Sequence, residues 1–517
     1  MSSRGLPRSI HGDVPPPGLL EAFGAYERAL MDDDLPALED AFVDDGRALR
    51  GDAAGLLVGR EQISAFRGTR GGVPARTVRQ THVRQLDPDH VVLVSVNEPL
   101  QGGRGLVTQV WRRCADARWR IAVAQVAGPE RAADPTIWRQ LGFPLIAPTG
   151  SGDLDGESVA VKDLFAVAGL PVGAGNPAYL AEAGPEHRHA SAVRMLLDAG
   201  AEVRGIARTD EFAYSITGNN AHHGTPPNPR APGRLSGGSS SGPAAAVAAG
   251  QASIGLGTDT AGSIRVPASY QGLWGLRSTR GAVNTRGLLP LARSFDAIGW
   301  LARTPDVLAR AARVSLSMPS KIVTSGEYVL CPDLLELVDP SVRGAFTERL
   351  GTIPKPREIQ GPDLEETFAA FRTVQAAEAW RTHGTWIREH PDALGPDVAA
   401  RFAWAATVTA DEEHSAREVL AEIRARLDTE LQDGVLLLPA TPTPAPSNRS
   451  EPAALDAVRT ATISLTCLAA ITGRPALSAP LLEAEGLPVG LSLVGPRGTD
   501  LDLVERAVAL GPPGGRP

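Results

Sequence analysis

The stretch that decides the fold is rich in small polar residues: Ser236-Gly237-Gly238-Ser239-Ser240-Ser241-Gly242-Pro243. It leads directly into an Ala-rich segment, and we predict a helix over 243–249 because Pro at a helix start and Gly just past its end are expected boundary residues. A flexible Gly/Ser linker has a similar composition, but a linker does not normally run straight into a capped apolar helix. The stretch is therefore interpreted as a loop whose backbone N–H groups and hydroxyls converge at a helix N-terminus.

A second polar cluster follows the strand predicted over 252–257 and reads Gly257-Thr258-Asp259-Thr260-Ala261-Gly262-Ser263-Ile264-Arg265-Val266-Pro267. Open α/β sheets place their sites directly after such strands. Small residues at Ala261 and Gly262 allow backbone N–H groups to approach a substrate oxygen closely, as an oxyanion hole requires. We interpret Asp259 and Arg265 as a structural ion pair that fixes this loop.

Lysine is scarce in this chain, since only Lys162, Lys321 and Lys355 occur among 51 Lys plus Arg. A lysine retained among so many arginines is a candidate for chemistry that a guanidinium cannot perform, because only the amine can lose its proton. Lys162 follows the apolar run 159–161, where a charged amine is costly unless it is paired or neutralised. The local sequence leaves two interpretations with equal weight: a neutral base, or a strand-terminal lysine paired with Asp163.

Residues 238–242 also match the G-x-S-x-G nucleophile elbow of α/β-hydrolases, with Ser240 as the nucleophile. That motif requires a strand immediately before the turn. The prolines within 226–234 argue against such a strand. No P-loop motif occurs in the chain.

The composition excludes several classes of protein. The 517 residues carry 59 Asp plus Glu against 51 Lys plus Arg, a net charge of −8 without a basic block, so no nucleic-acid partner is expected. The three cysteines are odd in number and far apart, which excludes a disulfide framework and a Cys-based zinc site. His222-His223 has no third partner at ligand spacing, so we expect no metal, and no cofactor is expected. No apolar run approaches about 18 residues, which predicts a cytoplasmic protein without a membrane partner.

The chain divides by pattern into two folded domains. Residues 1–16 are polar and Pro-rich and are predicted to be a flexible tail. In 17–127, helical spacing is followed by a run of strands, which predicts a small α+β domain with helices on one face of a curved sheet. Scattered Gly, Pro and Asp mark 128–156 as a linker. In 157–517, apolar strands alternate with helices, which predicts an α/β domain with a mixed, largely parallel sheet covered by helices.

Three motifs carry a resemblance to a known family: Val161-Lys162-Asp163, the loop at 236–243 and the cluster at 257–267. Together they resemble the amidase signature enzymes over roughly 150–510, which implies the amidase signature fold. The resemblance implies a Ser–cis-Ser–Lys triad. In this triad, Ser263 is the nucleophile and Lys162 is the base. Ser239, which is preceded by a cis peptide bond, transfers protons between them.

The same resemblance implies an acyl-enzyme and a small substrate. Backbone N–H groups of Thr260, Ala261, Gly262 and Ser263 would form the oxyanion hole. Arg293 is similar in position to an arginine near the substrate of allophanate hydrolases. It suggests a carboxylated amide or ureido substrate of the biuret or allophanate kind.

Residues 17–127 resemble the cone-shaped nuclear-transport-factor-2-like (NTF2-like) fold, and most of all a small decarboxylase-like member that accompanies the cyanuric-acid pathway. The resemblance implies that Tyr26 and Arg50 face the pocket of the cone, where an arginine can bind a carboxylate through two hydrogen bonds. We hypothesise that this domain binds or decarboxylates a small anion related to the amide substrate.

Two other functions are compatible with this organisation. The chain could be a non-catalytic amide-binding subunit, or an amidotransferase-type subunit that supplies ammonia to a partner, with the N-terminal domain used for dimerisation or delivery. The intact set of Lys162, Ser239 and Ser263 argues against the non-catalytic alternative. A homodimer is expected.

Overall fold

The computed structural model describes residues 6–52, 55–70, 73, 75–99, 105–127, 134–317, 321–322 and 326–511. It divides the chain into two compact units, Met1–Ala132 and Ala133–Pro517. Each unit has its own sheet and its own apolar core.

The N-terminal unit packs three helices against a seven-stranded sheet. The helices are α1 Leu19–Asp32, α2 Leu35–Asp40 and α3 Arg60–Arg70. The strands are β1 Ser9–Gly12, β2 Leu49–Asp52, β3 Gly55–Val58, β4 Arg76–Asp87, β5 His90–Pro99, β6 Gly105–Arg113 and β7 Trp119–Ala127, in the spatial order β1-β4-β5-β6-β7-β2-β3. Phe23 and Tyr26 lie on the buried face of α1 and make edge contacts with Trp111 of β6, so the helical spacing seen in the sequence faces the sheet as expected.

The predicted flexible tail 1–16 contains a strand, which corrects that expectation for Ser9–Gly12. Ser9–Gly12 pairs in parallel with β4, with Ser9 opposite Gln80, and so forms an edge strand of the sheet. This strand is short, polar and mostly exposed, and it therefore lacks the alternating apolar pattern by which strands are recognised. Residues 1–5 lie outside the described part of the chain.

The C-terminal unit is an eleven-stranded mixed sheet covered by helices. Its strands are β8 Trp138–Ile146, β9 Ser158–Lys162, β10 Glu202–Ala207, β11 Ile254–Asp259, β12 Trp274–Arg277, β13 Ala297–Ala302, β14 Tyr328–Leu330, β15 Arg357–Glu358, β16 Val435–Pro439, β17 Ala476–Ala484 and β18 Leu487–Val494. Their spatial order is β15-β14-β16-β18-β17-β12-β13-β11-β9-β10-β8. The helices are α4 Pro177–Glu182, α5 Ser191–Asp198, α6 Ser241–Ala248, α7 Arg265–Gln271, α8 Pro305–Ser315, α9 Pro340–Leu350, α10 Leu364–Glu389, α11 Pro396–Ala405, α12 Ala410–Leu431, α13 Pro452–Thr472 and α14 Asp500–Leu510.

The middle of this sheet confirms the predicted mixed α/β architecture. The expectation of a largely parallel sheet is wrong, because among the described strands six of the ten neighbouring pairs are antiparallel and four are parallel. β9 pairs in parallel with both β10 and β11, whereas β11 pairs antiparallel with β13. Every residue of β11 is buried, as expected for a strand covered on both faces. The carboxyl ends of β9 and β11 therefore lie side by side, and the two polar motifs follow from them.

The predicted linker 128–156 includes a strand of the large sheet, which corrects that boundary. β8 pairs antiparallel with β10 at the sheet edge, and its Trp138 is buried. Gly142 and Pro144 gave this segment the composition of a linker, but an edge strand tolerates both residues because its outer side needs no ladder hydrogen bonds. Residues 128–133 lie outside the described part of the chain.

Helix α13 is, within the described part of the chain, the one helix long and apolar enough to cross a membrane. Its most apolar window has a mean hydropathy of 1.4, and 56% of that window is buried inside the protein. A core helix of a soluble domain meets the same criteria. Here α13 supports the loop that follows β11, because the Thr466 hydroxyl donates to the Ala261 carbonyl at 2.6 Å.

Candidate active site

Lys162 is the last residue of β9, and its side chain is fully buried. Its Nζ atom lies 2.8 Å from Ser239 Oγ, 2.8 Å from Thr258 Oγ1 and 3.1 Å from Ser240 Oγ. The amine is therefore surrounded by three hydroxyls. Thr258 belongs to the second motif, but the sequence alone did not indicate that its hydroxyl would reach the lysine.

The surroundings of Lys162 favour the neutral amine. Burial lowers the pKa of Lys162 to about 7, although Asp210 and other nearby carboxylates oppose this shift. The alternative of a Lys162–Asp163 pair is wrong. The Asp163 carboxylate instead accepts a hydrogen bond from the Gly173 N–H at 2.9 Å and lies 3.1 Å from the Arg139 guanidinium.

The loop before α6 presents Ser239 to the lysine. The peptide bond between Gly238 and Ser239 is cis, as the family resemblance implies. The Ser239 carbonyl accepts hydrogen bonds from the Thr209 hydroxyl at 2.9 Å and from the Asp210 N–H at 3.2 Å. Gly238 is required here because a Cβ atom would lie 2.3 Å from a carboxylate oxygen of Asp210.

Ser263 lies in the turn between β11 and α7 and is buried. Its backbone carbonyl accepts a hydrogen bond from the Ser240 N–H at 3.2 Å, which joins the two motif loops. Ser240 is less suited to act as a nucleophile, because its hydroxyl donates to the Thr258 carbonyl at 3.2 Å. The residues directly before it, 234–238, form no strand, so the nucleophile-elbow geometry is not present in this described segment.

The turn that holds Ser263 offers fewer oxyanion donors than the sequence predicted. The Gly262 N–H already donates to the Asp259 carboxylate at 2.9 Å, so its expected role as a donor is wrong. Within the described residues, the N–H groups of Thr260, Ala261 and Ser263 have no hydrogen-bond partner. Gly262 instead permits the turn, since its φ is +114° and a Cβ would lie 3.0 Å from the Thr466 hydroxyl oxygen.

The predicted ion pair between Asp259 and Arg265 is present, with 2.8 Å between Oδ1 and Nη2. Burial alone would raise the pKa of the Asp259 carboxyl, but the Arg265 and Arg277 guanidiniums hold it well below its usual range. Asp259 thus remains a carboxylate that accepts from backbone N–H groups of the turn. This fixes the loop in one conformation.

A narrow cleft opens at Ser263, with about 260 Å³ of empty space including its mouth. Thr260 and Ala261 line it, as expected for residues beside a reacting carbonyl. Sequence reasoning missed Gln375 and Arg459, which lie on α10 and α13 and also line the cleft. Neither helix carried a motif that pointed to the site.

Arg293 is not among the residues that line this cleft, and its predicted role in binding substrate stays a prediction. Its side chain is exposed on the segment between β12 and β13. The neighbouring Ser294 N–H and hydroxyl donate to the Glu378 carboxylate of α10, at 2.9 Å and 2.5 Å, and this fixes the segment against that helix. The cleft-lining arginine is on α13 instead.

In the N-terminal unit, Tyr26 and Arg50 line one small cavity together with Arg67 and Arg76. The Tyr26 hydroxyl accepts a hydrogen bond from Arg67 at 2.9 Å. Arg50 is buried and lies 2.8 Å from Asp52. The structure therefore places the two predicted residues on the same cavity, which carries several guanidinium groups.

Within the described residues, no cluster of three or more His, Cys, Asp or Glu side chains could hold a metal ion. His222 and His223 are partly buried rather than solvent-exposed. His222 lies 2.7 Å from Glu211, and His223 lies 3.0 Å from Arg208. These contacts fix the loop to its surroundings.

A buried, weakly basic lysine among serine hydroxyls, beside a turn with free N–H groups, is typical of enzymes that hydrolyse amides through a serine. The chain belongs to the amidase family, whose model matches residues 148–354 and 363–504, and an AtzH-like domain matches 18–130. It is thus an amide-hydrolysing enzyme. The amidase signature fold and the N-terminal NTF2-like cone expected from the sequence are confirmed.

Several relatives are similar over most of the C-terminal unit. Amidase 1 of Arabidopsis thaliana is 36% identical over 70% of this chain and 96% of its own length. The 1-carboxybiuret hydrolase subunit AtzE of Pseudomonas sp. (strain ADP) is 32% identical over 66% of this chain and 80% of its own. A solved structure of a vestigial protein complex also matches, with a TM-score of 0.64 and 30% identity over 69% of this chain and 84% of the matched chain. That complex is said to reveal the evolutionary origins of an s-triazine catabolic enzyme.

Proposed function

We propose that the C-terminal unit hydrolyses a small carboxylated amide or ureido compound with a Ser263–Ser239–Lys162 triad. The observation that carries this proposal is the burial of Lys162 with its Nζ atom 2.8 Å from Ser239 Oγ. An amine that titrates near neutrality can take a proton from a hydroxyl, whereas an exposed lysine would be almost fully protonated at pH 7.

The chemistry proceeds in two halves. Neutral Lys162 removes a proton from Ser239, Ser239 takes one from Ser263, and Ser263 Oγ attacks the amide carbonyl. The carbonyl oxygen becomes negative and accepts hydrogen bonds from the N–H groups of Thr260 and Ala261. The nitrogen leaves after protonation through Ser239, and an ester to Ser263 remains. Water then attacks this ester while Ser239 takes its proton and passes one to Lys162; the C–O bond to Ser263 breaks, a proton returns through Ser239 to Ser263 Oγ, and the acid is released.

Two observations support a small carboxylated substrate. The cleft at Ser263 is narrow and is lined by polar side chains as well as by the nucleophile turn, which favours a small polar compound. One relative is named for its action on 1-carboxybiuret, a carboxylated ureido compound. A guanidinium in such a cleft can bind a carboxylate through two parallel hydrogen bonds.

The N-terminal unit is proposed to bind or decarboxylate a small anion related to that substrate. Its cavity is lined by Tyr26, Arg50, Arg67 and Arg76, a set suited to a carboxylate with a hydrogen-bonding neighbour. The chain is proposed to act in the cytoplasm as a homodimer. Mass photometry or light scattering of the full chain tests the dimer.

A fluorophosphonate probe tests the triad, because it reacts only with an activated serine hydroxyl. The full chain is labelled and the adduct is mapped by mass spectrometry. We expect the adduct on Ser263, and we expect Ser263→Ala to abolish labelling while Ser253→Ala, at a partly buried serine directly before β11, leaves it unchanged. An adduct on Ser240 would contradict the proposal and support the nucleophile elbow. No adduct on an active enzyme would contradict it as well.

A further inference from the structure

Arg459 occupies an unusual position for an arginine on a core helix. It lies in the first half of α13 and lines the same cleft as Ser263. Only 15% of its side chain is exposed. The guanidinium is thus held at the cleft rather than extended into solvent, although a buried cation is costly without compensation.

The charge of Arg459 is weakly compensated by the protein. Within the described residues, its one ion pair is with Asp456, at 3.4 Å, and that carboxylate is 71% exposed. Arg401 is also close, since it donates to the carbonyl of the cleft residue Tyr214 at 2.8 Å. Burial and then Arg401 lower the pKa of Arg459 to about 10, so the group is still charged at neutral pH. The wall of the cleft therefore carries positive charge that an anion would neutralise.

Helix α13 connects the Arg459 guanidinium to the end of the cleft where Ser263 lies. Thr466 of the same helix donates to the Ala261 carbonyl at 2.6 Å, next to the nucleophile turn. Arg459 is seven residues earlier, about 10 Å along the helix axis, and Ile463 lines the cleft between them. A rigid helix thus fixes how far a bound anion lies from the carbonyl that Ser263 attacks.

We infer that Arg459 is the specificity-determining residue that binds the carboxylate of the substrate and selects short carboxylated amides over neutral ones. Gln375 lies on the same cleft, is buried, and offers an uncharged polar neighbour. A carboxylate in this cleft gains a bidentate hydrogen bond and replaces water on a partly desolvated guanidinium. This inference rests on the proposed amide hydrolysis at Ser263.

Pairs of isosteric substrates test the inference, because succinamate and succinamide, or malonamate and malonamide, differ only by carboxylate against amide. We expect wild-type enzyme to prefer the carboxylated member of at least one pair. In that pair, Arg459→Gln lowers kcat/KM for the carboxylated substrate about 100-fold, mainly through KM, and changes the neutral substrate less than threefold. Arg459→Lys recovers part of the lost kcat/KM, because lysine restores the positive charge but cannot form two parallel hydrogen bonds to the carboxylate.

The controls separate specificity from structure. Arg194→Gln, a matched change at an exposed helical arginine, leaves both substrates unchanged. An equal loss on both members of the pair in Arg459→Gln, or no preference in wild-type enzyme, overturns the inference. A selective loss in Arg293→Gln instead overturns it in favour of the exposed arginine. Fluorophosphonate labelling of Ser263 is measured in every variant to separate failure of this inference from failure of the proposed function. If the proposed function is wrong, labelling of Ser263 is absent in wild-type enzyme too.

Discussion

Replacement of Lys162 by arginine is the most informative single change, because it keeps the positive charge and removes the ability to deprotonate. Lys162 is buried with a pKa of about 7, so about half of it is neutral at pH 7. An arginine with a pKa above about 12 would be neutral in fewer than about one molecule in 10⁵ at the same pH. We therefore expect Lys162→Arg to lower kcat about 10³-fold or more.

The assay is ammonia release with a saturating amide, together with circular dichroism to confirm that the fold is retained. Lys355→Arg is the matched control, because Lys355 is exposed, and it should retain full activity. If Lys162→Met folds while Lys162→Arg does not, the methionine variant replaces it in the assay. A folded variant of either kind that kept more than about a tenth of wild-type activity would refute the role of Lys162 as the base.

Two stability predictions test the geometry around the triad. Gly238→Ala should lower the free energy of unfolding by about 1–3 kcal/mol because the new Cβ would overlap the Asp210 carboxylate. Gly344→Ala, at an open site on helix α9, should raise it by about 0.5–1 kcal/mol. Urea denaturation measures both changes, and equal effects would contradict the close packing of Gly238 against Asp210. Asp259→Asn should lower the free energy of unfolding by about 3–5 kcal/mol because it leaves Arg265 buried without its carboxylate. A Tm within about 2 °C of the wild-type value, roughly the shift expected for 1 kcal/mol or less, would show that the ion pair does not hold the loop.

Much of the catalytic cluster could be predicted from the sequence because its residues lie in short motifs at the ends of adjacent strands. Lys162 ends β9, and Ser263 follows β11, so parallel pairing of these strands brings the two motifs together. The scarcity of lysine added an independent chemical argument. The local pattern could not decide between a neutral amine and a pair with Asp163, because that choice depends on burial by distant parts of the chain.

The substrate end of the cleft could not be predicted in the same way. Gln375 and Arg459 come from helices more than 100 residues beyond Ser263 in sequence, and only the packing of α10 and α13 brings them to the cleft. The donor role expected for Gly262 was wrong for a related reason. Spacing identifies a turn, but it does not show that Asp259 already accepts the hydrogen bond of that N–H.

One edge strand of each sheet could not be predicted from the sequence either. Ser9–Gly12 is polar, and β8 contains Gly142 and Pro144, so neither has the regular pattern of an interior strand. Their pairing with β4 and β10 is decided by backbone hydrogen bonds, which are available to almost any sequence at an edge.

The rate at which a fluorophosphonate labels Ser263 as a function of pH tests the central claim most directly, since it requires the base but no substrate. Lys162 can accept a proton only when it is neutral, and burial lowers its pKa to about 7. The labelling rate should therefore rise about tenfold per pH unit below pH 7 and level off above it. A rate that stays constant from pH 5 to 9, or that rises only above about pH 10 as for an ordinary lysine, would contradict a neutral Lys162 in this site.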